Sequence, residues 1–338
     1  MLSFSCSRVA QNPVTTQSPN DINWTMVAPG GETTCAHGDP YVFWYHPGEK
    51  DRLLIFFQGG GLCWNTETCA NGSSYYLDQV TENNSPIHQS GIFDLNNREN
   101  PFQSYSMLYI PYCTGDVHWG NHTQIYKNPG ETDLIIQHKG FINASTAMSF
   151  AFSQLPSLKE IFVTGCSAGS VGSILQMPYI IQHYPNASIV QLGDSLVFEY
   201  PKSPEIEETY HALENFPSWI PSLKEMSQEN FRMVDFYSTV ANYYPEYRFS
   251  QFSYLQDEIQ DFFYKAFGGK PGGFALSLQT DMSEIYANAP NFRYYISQGN
   301  DHCSMPLQSF YSIKNSDVRF RDWVADLANG VSVPNIEP

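Results

Sequence analysis

Short apolar runs closed by turn residues recur along the chain, and longer stretches of mixed polarity separate them. Residues 53–57 (LLIFF) run into Gln58 and three glycines, 106–110 (SMLYI) into Pro111, and 160–164 (EIFVT) into a Gly-Cys-Ser turn. Runs of this kind read as parallel strands covered on both faces, where no polar alternation is needed. Between and after them, 131–155 reads as largely helical, with Thr132 as cap and Pro156 as stop. Residues 170–184 read as a helix bent by Pro178, and 188–192 as a strand. The stretch 195–245 breaks the rhythm and is rich in Pro, Glu, Tyr and Phe; it is expected to be a helical insertion packed over one edge of the sheet. Residues 247–254 (YRFSQFSY) alternate as a strand. Residues 256–267 follow as a helix ended by Gly268 and Gly269, 292–297 form a late strand, and 306–313 open a closing helical region. Most strands are separated by more than the dozen residues a parallel crossover needs. The expected fold is therefore α/β, a mostly parallel sheet flanked by helices in a single domain.

Composition narrows the function. Seventeen Lys and Arg face 34 Asp and Glu, a formal net charge of −17, and such a surface repels nucleic acid and anionic membranes. No run of 18 apolar residues marks a membrane span. The first ten residues are too polar and too few for a complete secretory signal. The seven cysteines, Cys6, Cys35, Cys63, Cys69, Cys113, Cys166 and Cys303, include no CxxC pair and do not sit among histidines at zinc-site spacing. No metal or cofactor is expected. Cys63 and Cys69 are close enough to bridge a loop, and disulfides favour a secreted or periplasmic setting. Asn-x-Ser/Thr triplets occur at Asn23, Asn71, Asn83, Asn121, Asn143 and Asn186.

The sharpest chemical signal is Gly165-Cys166-Ser167-Ala168-Gly169, a G-x-S-x-G between a strand and a helix. That turn lifts a serine oxygen above a sheet edge and aims the next backbone N–H, from Ala168, at a developing oxyanion. Gly59-Gly60-Gly61 follow the LLIFF strand, and Gly60 and Gly61 are the candidates for the second oxyanion donor. The run lacks the Lys-Ser/Thr ending of a phosphate loop. In the chain order Ser, acid, His, the base falls to His302, in the loop GNDHC after the last clear strand. Asp194, Asp257 and Glu258 all follow strands. Asp257, at a late strand end before a helix, is the preferred acid. Cys166 and Cys303 adjoin these residues and are expected to be structural, with Cys166 pointing away from the serine. Trp64 and Trp119 are expected to stand at the mouth of the site as flat platforms for sugar rings. Asp116, His118 and His122 are the only grouping that suggests a metal-dependent deacetylase.

Four segments together resemble the pectin acetylesterase family, which includes the carboxylesterase Notum: QGGGLCWNTETC at 58–69, IPYCTGDVHWG at 110–120, GCSAGS at 165–170 and QGNDHCS at 298–304. Ser170 stands where the family commonly has a further glycine. The resemblance implies an α/β-hydrolase fold, no metal, and a Ser167–Asp257–His302 triad, with LQDE at 255–258 matching the segment that carries the acid. It implies ester hydrolysis through an acyl-enzyme, with acetyl groups on a polysaccharide such as pectin as the expected substrate. A Notum-like lipid-acyl carboxylesterase, a serine peptidase and a non-catalytic carbohydrate-binding protein are the alternatives.

Overall fold

Among the residues that the computed structural model describes, which are 14–17, 23–130, 132–196 and 206–338, one sheet holds nine strands. In chain order the elements are β1 (Val14–Gln17), β2 (Thr25–Ala28), β3 (Phe43–His46), β4 (Glu49–Phe57), β5 (Tyr105–Ile110), β6 (His122–Tyr126), β7 (Leu134–His138), α1 (Gly140–Gln154), β8 (Glu160–Cys166), α2 (Ala168–His183), β9 (Ser188–Asp194), α3 (Ile206–Tyr210), α4 (Met233–Tyr243), β10 (Arg248–Tyr254), α5 (Glu258–Ala266), α6 (Phe274–Asn288), β11 (Phe292–Ser297) and α7 (Phe320–Ala328). The sheet order is β1-β2-β3-β5-β4-β8-β9-β10-β11. Strands β5, β4, β8, β9, β10 and β11 run parallel, and β1, β2 and β3 add an antiparallel edge.

The apolar strands follow from burial on both faces. Leu53, Ile55 and Phe57 enter one core with Val163, Ile174 and Leu175, while Leu54 and Phe56 enter the other with Phe162, Phe252, Tyr295 and Trp323. Successive side chains of β4 thus point to opposite faces and are all buried. The order matters for function because β4 is followed in the chain by β5 on one side and β8 on the other. The carboxyl ends of β4 and β8 therefore meet where the winding reverses, which is where open α/β sheets form their binding crevice.

Two expectations are corrected. The stretch 131–155 is not one helix: β7 pairs antiparallel with β6, and α1 begins only at Gly140. The run Leu134-Ile135-Ile136 is half-buried in the hairpin, where β-branched residues fit better than in a helix. The stretch 195–245 is not an edge cover. It forms the crossover between the neighbouring parallel strands β9 and β10, with α4 packed against α2 and α6; its residues 197–205, like the first ten of the chain, lie outside the described residues. The antiparallel edge β1–β3 and helix α6 were not anticipated.

Disulfides join Cys35 to Cys113, Cys63 to Cys69, and Cys166 to Cys303. No helix among the described residues is long and apolar enough to cross a membrane. Asn143 is buried and exchanges hydrogen bonds with the Thr34 backbone, so that triplet offers no accessible amide for a glycan.

Candidate active site

Ser167 sits between β8 and α2 with φ 56° and ψ −125°, a conformation that L-residues rarely adopt. The turn is held from below: the Ser167 N–H donates to the Asp194 carbonyl at 2.7 Å, and the Ser170 N–H to the Ser167 carbonyl at 2.8 Å. Crowding explains the flanking glycines. A Cβ on Gly169 would run into the Phe57 carbonyl, and one on Gly59 would lie 2.7 Å from the Ser167 Cβ. The glycine loop and the serine turn are therefore in contact, as the strand order requires. Ala168 opens α2, whose first N–H groups lack intrahelical acceptors.

His302 and Asp257 meet across 45 residues of chain. The ring Nδ1 lies 2.8 Å from Asp257 Oδ2 and 3.0 Å from Oδ1, and because a carboxylate only accepts, Nδ1 carries the proton. That leaves Nε2 as the basic nitrogen, and it is buried without a hydrogen-bond partner. Asp257 is fully buried and caps α5, accepting from the N–H groups of Ile259 and Gln260 at 3.0 and 2.9 Å. The Gln260 amide donates to Oδ2 at 2.8 Å and to Ser253 Oγ at 2.7 Å. The carboxylate is thus fixed in position, which is what an orienting acid requires. Gln260 was not singled out from the sequence; its spacing of three from Asp257, across the first turn of a helix, was the available sign.

The loop after β4 is set by buried polar residues from 112–118. The His118 Nε2–H donates to the Gln58 carbonyl at 2.9 Å, and the Gln58 side-chain oxygen accepts the Tyr112 N–H at 3.1 Å. Burial lowers the His118 pKa to about 4, so the ring is neutral at physiological pH. Asp116, also fully buried, accepts from Thr114 Oγ1, the His118 N–H and the Gly140 N–H; burial nonetheless pushes its carboxyl up to about 6. His118 therefore grips the loop after β4, and Asp116 braces His118 through its N–H. His122 lies apart from them, its ring stacked on His211. Cysteine sulfurs approach His138 and His302, but each pair is a disulfide and offers no thiolate.

A cleft of about 740 Å³ opens at these strand ends and is lined by Gly60, Gly61, Ser167 and His302. Its walls are largely apolar, from Leu77, Ile259, Phe262, Phe263 and Leu307, with Ile259 and Phe262 each 45% exposed. Neither tryptophan lines it. Trp119 is 3% exposed, donates Nε1–H to the Val171 carbonyl at 2.9 Å, and packs among Phe216, Phe231 and Phe236. Trp64 packs edge-on behind Tyr75 and tilted against Phe267; Tyr75, in front of it, reaches the cleft. Cys166 likewise does not point away: it lines the cleft, bonded to Cys303.

A parallel sheet with a strained serine at a strand-to-helix turn, beside an Asp-paired histidine, defines an α/β-hydrolase. The chain belongs to the pectinacetylesterase family, whose model matches residues 15–253. That match ends before Asp257 and His302. The mouse palmitoleoyl-protein carboxylesterase NOTUM is 27% identical over 173 residues, covering 48% of this chain and 33% of that protein. Pectin acetylesterase 5 of Arabidopsis thaliana is 25% identical over 228 residues, covering 62% of this chain and 51% of that protein. Pectin acetylesterase 4 of the same plant is 25% identical over 162 residues, covering 46% and 39%. The chain spans about a third to a half of the length of these curated relatives.

Proposed function

We propose that this protein is a carboxylic ester hydrolase acting through an acyl-enzyme on Ser167. The observation that carries the reading is His302, paired with the buried Asp257 and with an unpartnered Nε2, lining the same cleft as the strained serine. His302 Nε2 takes the Ser167 hydroxyl proton as Oγ bonds to the ester carbonyl carbon. The N–H groups of Ala168 and of Gly60 or Gly61 receive the oxyanion. The C–O bond to the alcohol then breaks, and the alcohol leaves with the proton from His302. Water, deprotonated by the same nitrogen, attacks the acyl-enzyme and releases the acid. Asp257 fixes the tautomer throughout and stabilises the imidazolium.

For the acyl group, family membership favours acetyl esters of a polysaccharide, but the cleft favours something larger. Trp64 and Trp119, expected as platforms for sugar rings, do not line the cleft. The wall formed by Leu77, Phe262, Phe263 and Leu307 rewards apolar surface at about 0.8 kcal/mol per buried CH₂. Our reading is an ester whose acyl group is apolar and longer than acetyl. The three disulfides fit an oxidising compartment. The test is kcat/KM on p-nitrophenyl esters from two to sixteen carbons, beside a matching anilide. We expect a rise from two to about eight carbons and no anilide turnover. A maximum at two carbons would restore the acetylesterase reading, and cleavage of the anilide at a similar rate would indicate a peptidase.

A further inference from the structure

We propose that Asp194 is a positioning residue that locks the His302 loop to the Ser167 turn, so that nucleophile and base are registered through one side chain and its backbone. The inference rests on the proposed roles of Ser167 and His302.

Asp194 ends β9 beside Cys166 at the end of β8. Its backbone carbonyl receives the Ser167 N–H at 2.7 Å. Its side chain faces the other way, and Oδ2 accepts the N–H groups of Ser304 and Met305 at 2.8 and 2.7 Å. The next residue completes the set: Ser195 Oγ accepts the Cys303 N–H at 3.0 Å and lies 3.2 Å from Asp194 Oδ1, to which it donates. Three consecutive amides directly after His302 are therefore captured by two consecutive residues. Ser195 and Cys303 both have φ 62°, a conformation that persists only where neighbours over-determine it.

Such a loop would have little reason to hold this shape alone. Asp194 and Ser195 are fully buried, so the three amides have no water to fall back on. A carboxylate suits the task because two N–H groups converge on one of its oxygens, and charge-assisted bonds of this kind are the stronger ones. Burial pushes the Asp194 carboxyl up to about 6, and the Ser304 and Met305 N–H groups pull against that rise. Asp194 differs from Asp257 in that it touches neither ring nitrogen. Its effect on the reaction passes through the loop geometry, and a misplacement of about 1 Å in such a site costs about a hundredfold.

The experiment compares Asp194→Asn, Ser195→Ala and His302→Ala with the wild type in full kinetics on a p-nitrophenyl ester between pH 5 and 9. Asp194→Asn keeps the shape and one acceptor. We expect kcat to fall about 10- to 100-fold with KM changed less than about threefold. Ser195→Ala should lower kcat by a smaller factor with KM held, and it decides the matter if the Asn variant fails to fold. Wild-type kcat in the folded Asp194→Asn variant, or wild-type kcat in Ser195→Ala where the former does not fold, would overturn the proposal. If His302→Ala itself keeps full activity, the assignment of the base falls, and this inference with it.

Discussion

Cys166 and Cys303 form a disulfide whose two ends are the residue before Ser167 and the residue after His302. The bridge spans 137 residues of chain and runs alongside the hydrogen bonds from Asp194 and Ser195. The turn that presents the hydroxyl and the loop that presents the imidazole are thus joined covalently, next to the cleft itself.

Breaking that bridge should damage catalysis more than substrate binding. In a Cys166→Ala/Cys303→Ala variant we expect kcat to fall about tenfold or more, with KM little changed. The midpoint of thermal unfolding should drop by several degrees, in line with about 2–4 kcal/mol for a disulfide. Alkylation of the unreduced enzyme should leave its turnover unaltered, since Cys166 and Cys303 offer no thiol. Stoichiometric loss of activity under a thiol reagent without reductant would contradict this.

Asp257 should matter in two graded steps. Asp257→Asn leaves the cap geometry but removes the charge that fixes the histidine tautomer, and should reduce kcat by about three to four orders of magnitude near neutral pH. Gln260→Leu removes only the amide that steadies Oδ2 and should cost about tenfold in kcat. Steady-state kinetics of both variants on one ester checks the order, and equal losses would mean that Gln260 does more than position the carboxylate.

Two pairs of buried groups oppose each other as pH changes. Asp116 and Asp194 have carboxyls raised to about 6, so the stability linked to them is fully present below the ordinary carboxylate range and is lost as pH rises through about 6. His118 and His138 are lowered by burial to about 4 and about 3, so their contribution is present above the ordinary histidine value of 6.5 and is lost as pH falls. Between pH 6.5 and 4 the two effects offset. His118→Gln retains an N–H donor in the side chain and removes one titrating ring. Relative to wild type, it should gain about 2 kcal/mol on going from pH 7 to pH 5. Denaturant unfolding at the two pH values measures this, and an unchanged or negative difference would show that His118 does not stay neutral in the folded protein.

The parallel strands and the serine turn were legible because both are local: an apolar run ended by glycine or proline, and a five-residue motif between a strand and a helix. The pairing of His302 with Asp257 was legible through chain order, strand-end placement and the family resemblance of 255–258. The residues that hold them were not. Asp194 captures amides 110 and 111 positions away, and His118 grips a carbonyl 60 positions back; neither relation has a sequence period. Trp119 misled because closeness in sequence to a glycine loop does not fix direction. Val117 and His118 both have positive φ, 52° and 64°, and the chain they bend carries the indole into the core instead of toward the cleft. The hairpin strand at 134–138 misled because a short apolar run before a helix reads equally well as its first turns.

The central claim is that Ser167 becomes acylated, and trapping it covalently is the direct test. The protein is incubated with a fluorophosphonate, and the adduct is located by peptide mass spectrometry beside Ser167→Ala and His302→Ala. The result expected is one phosphonyl group per chain on the peptide containing Ser167. No labelling should occur in Ser167→Ala and labelling should be far slower in His302→Ala, with ester turnover lost in parallel. Turnover in Ser167→Ala close to that of the wild type, or a stoichiometric adduct on another residue with Ser167 unmodified, would contradict it.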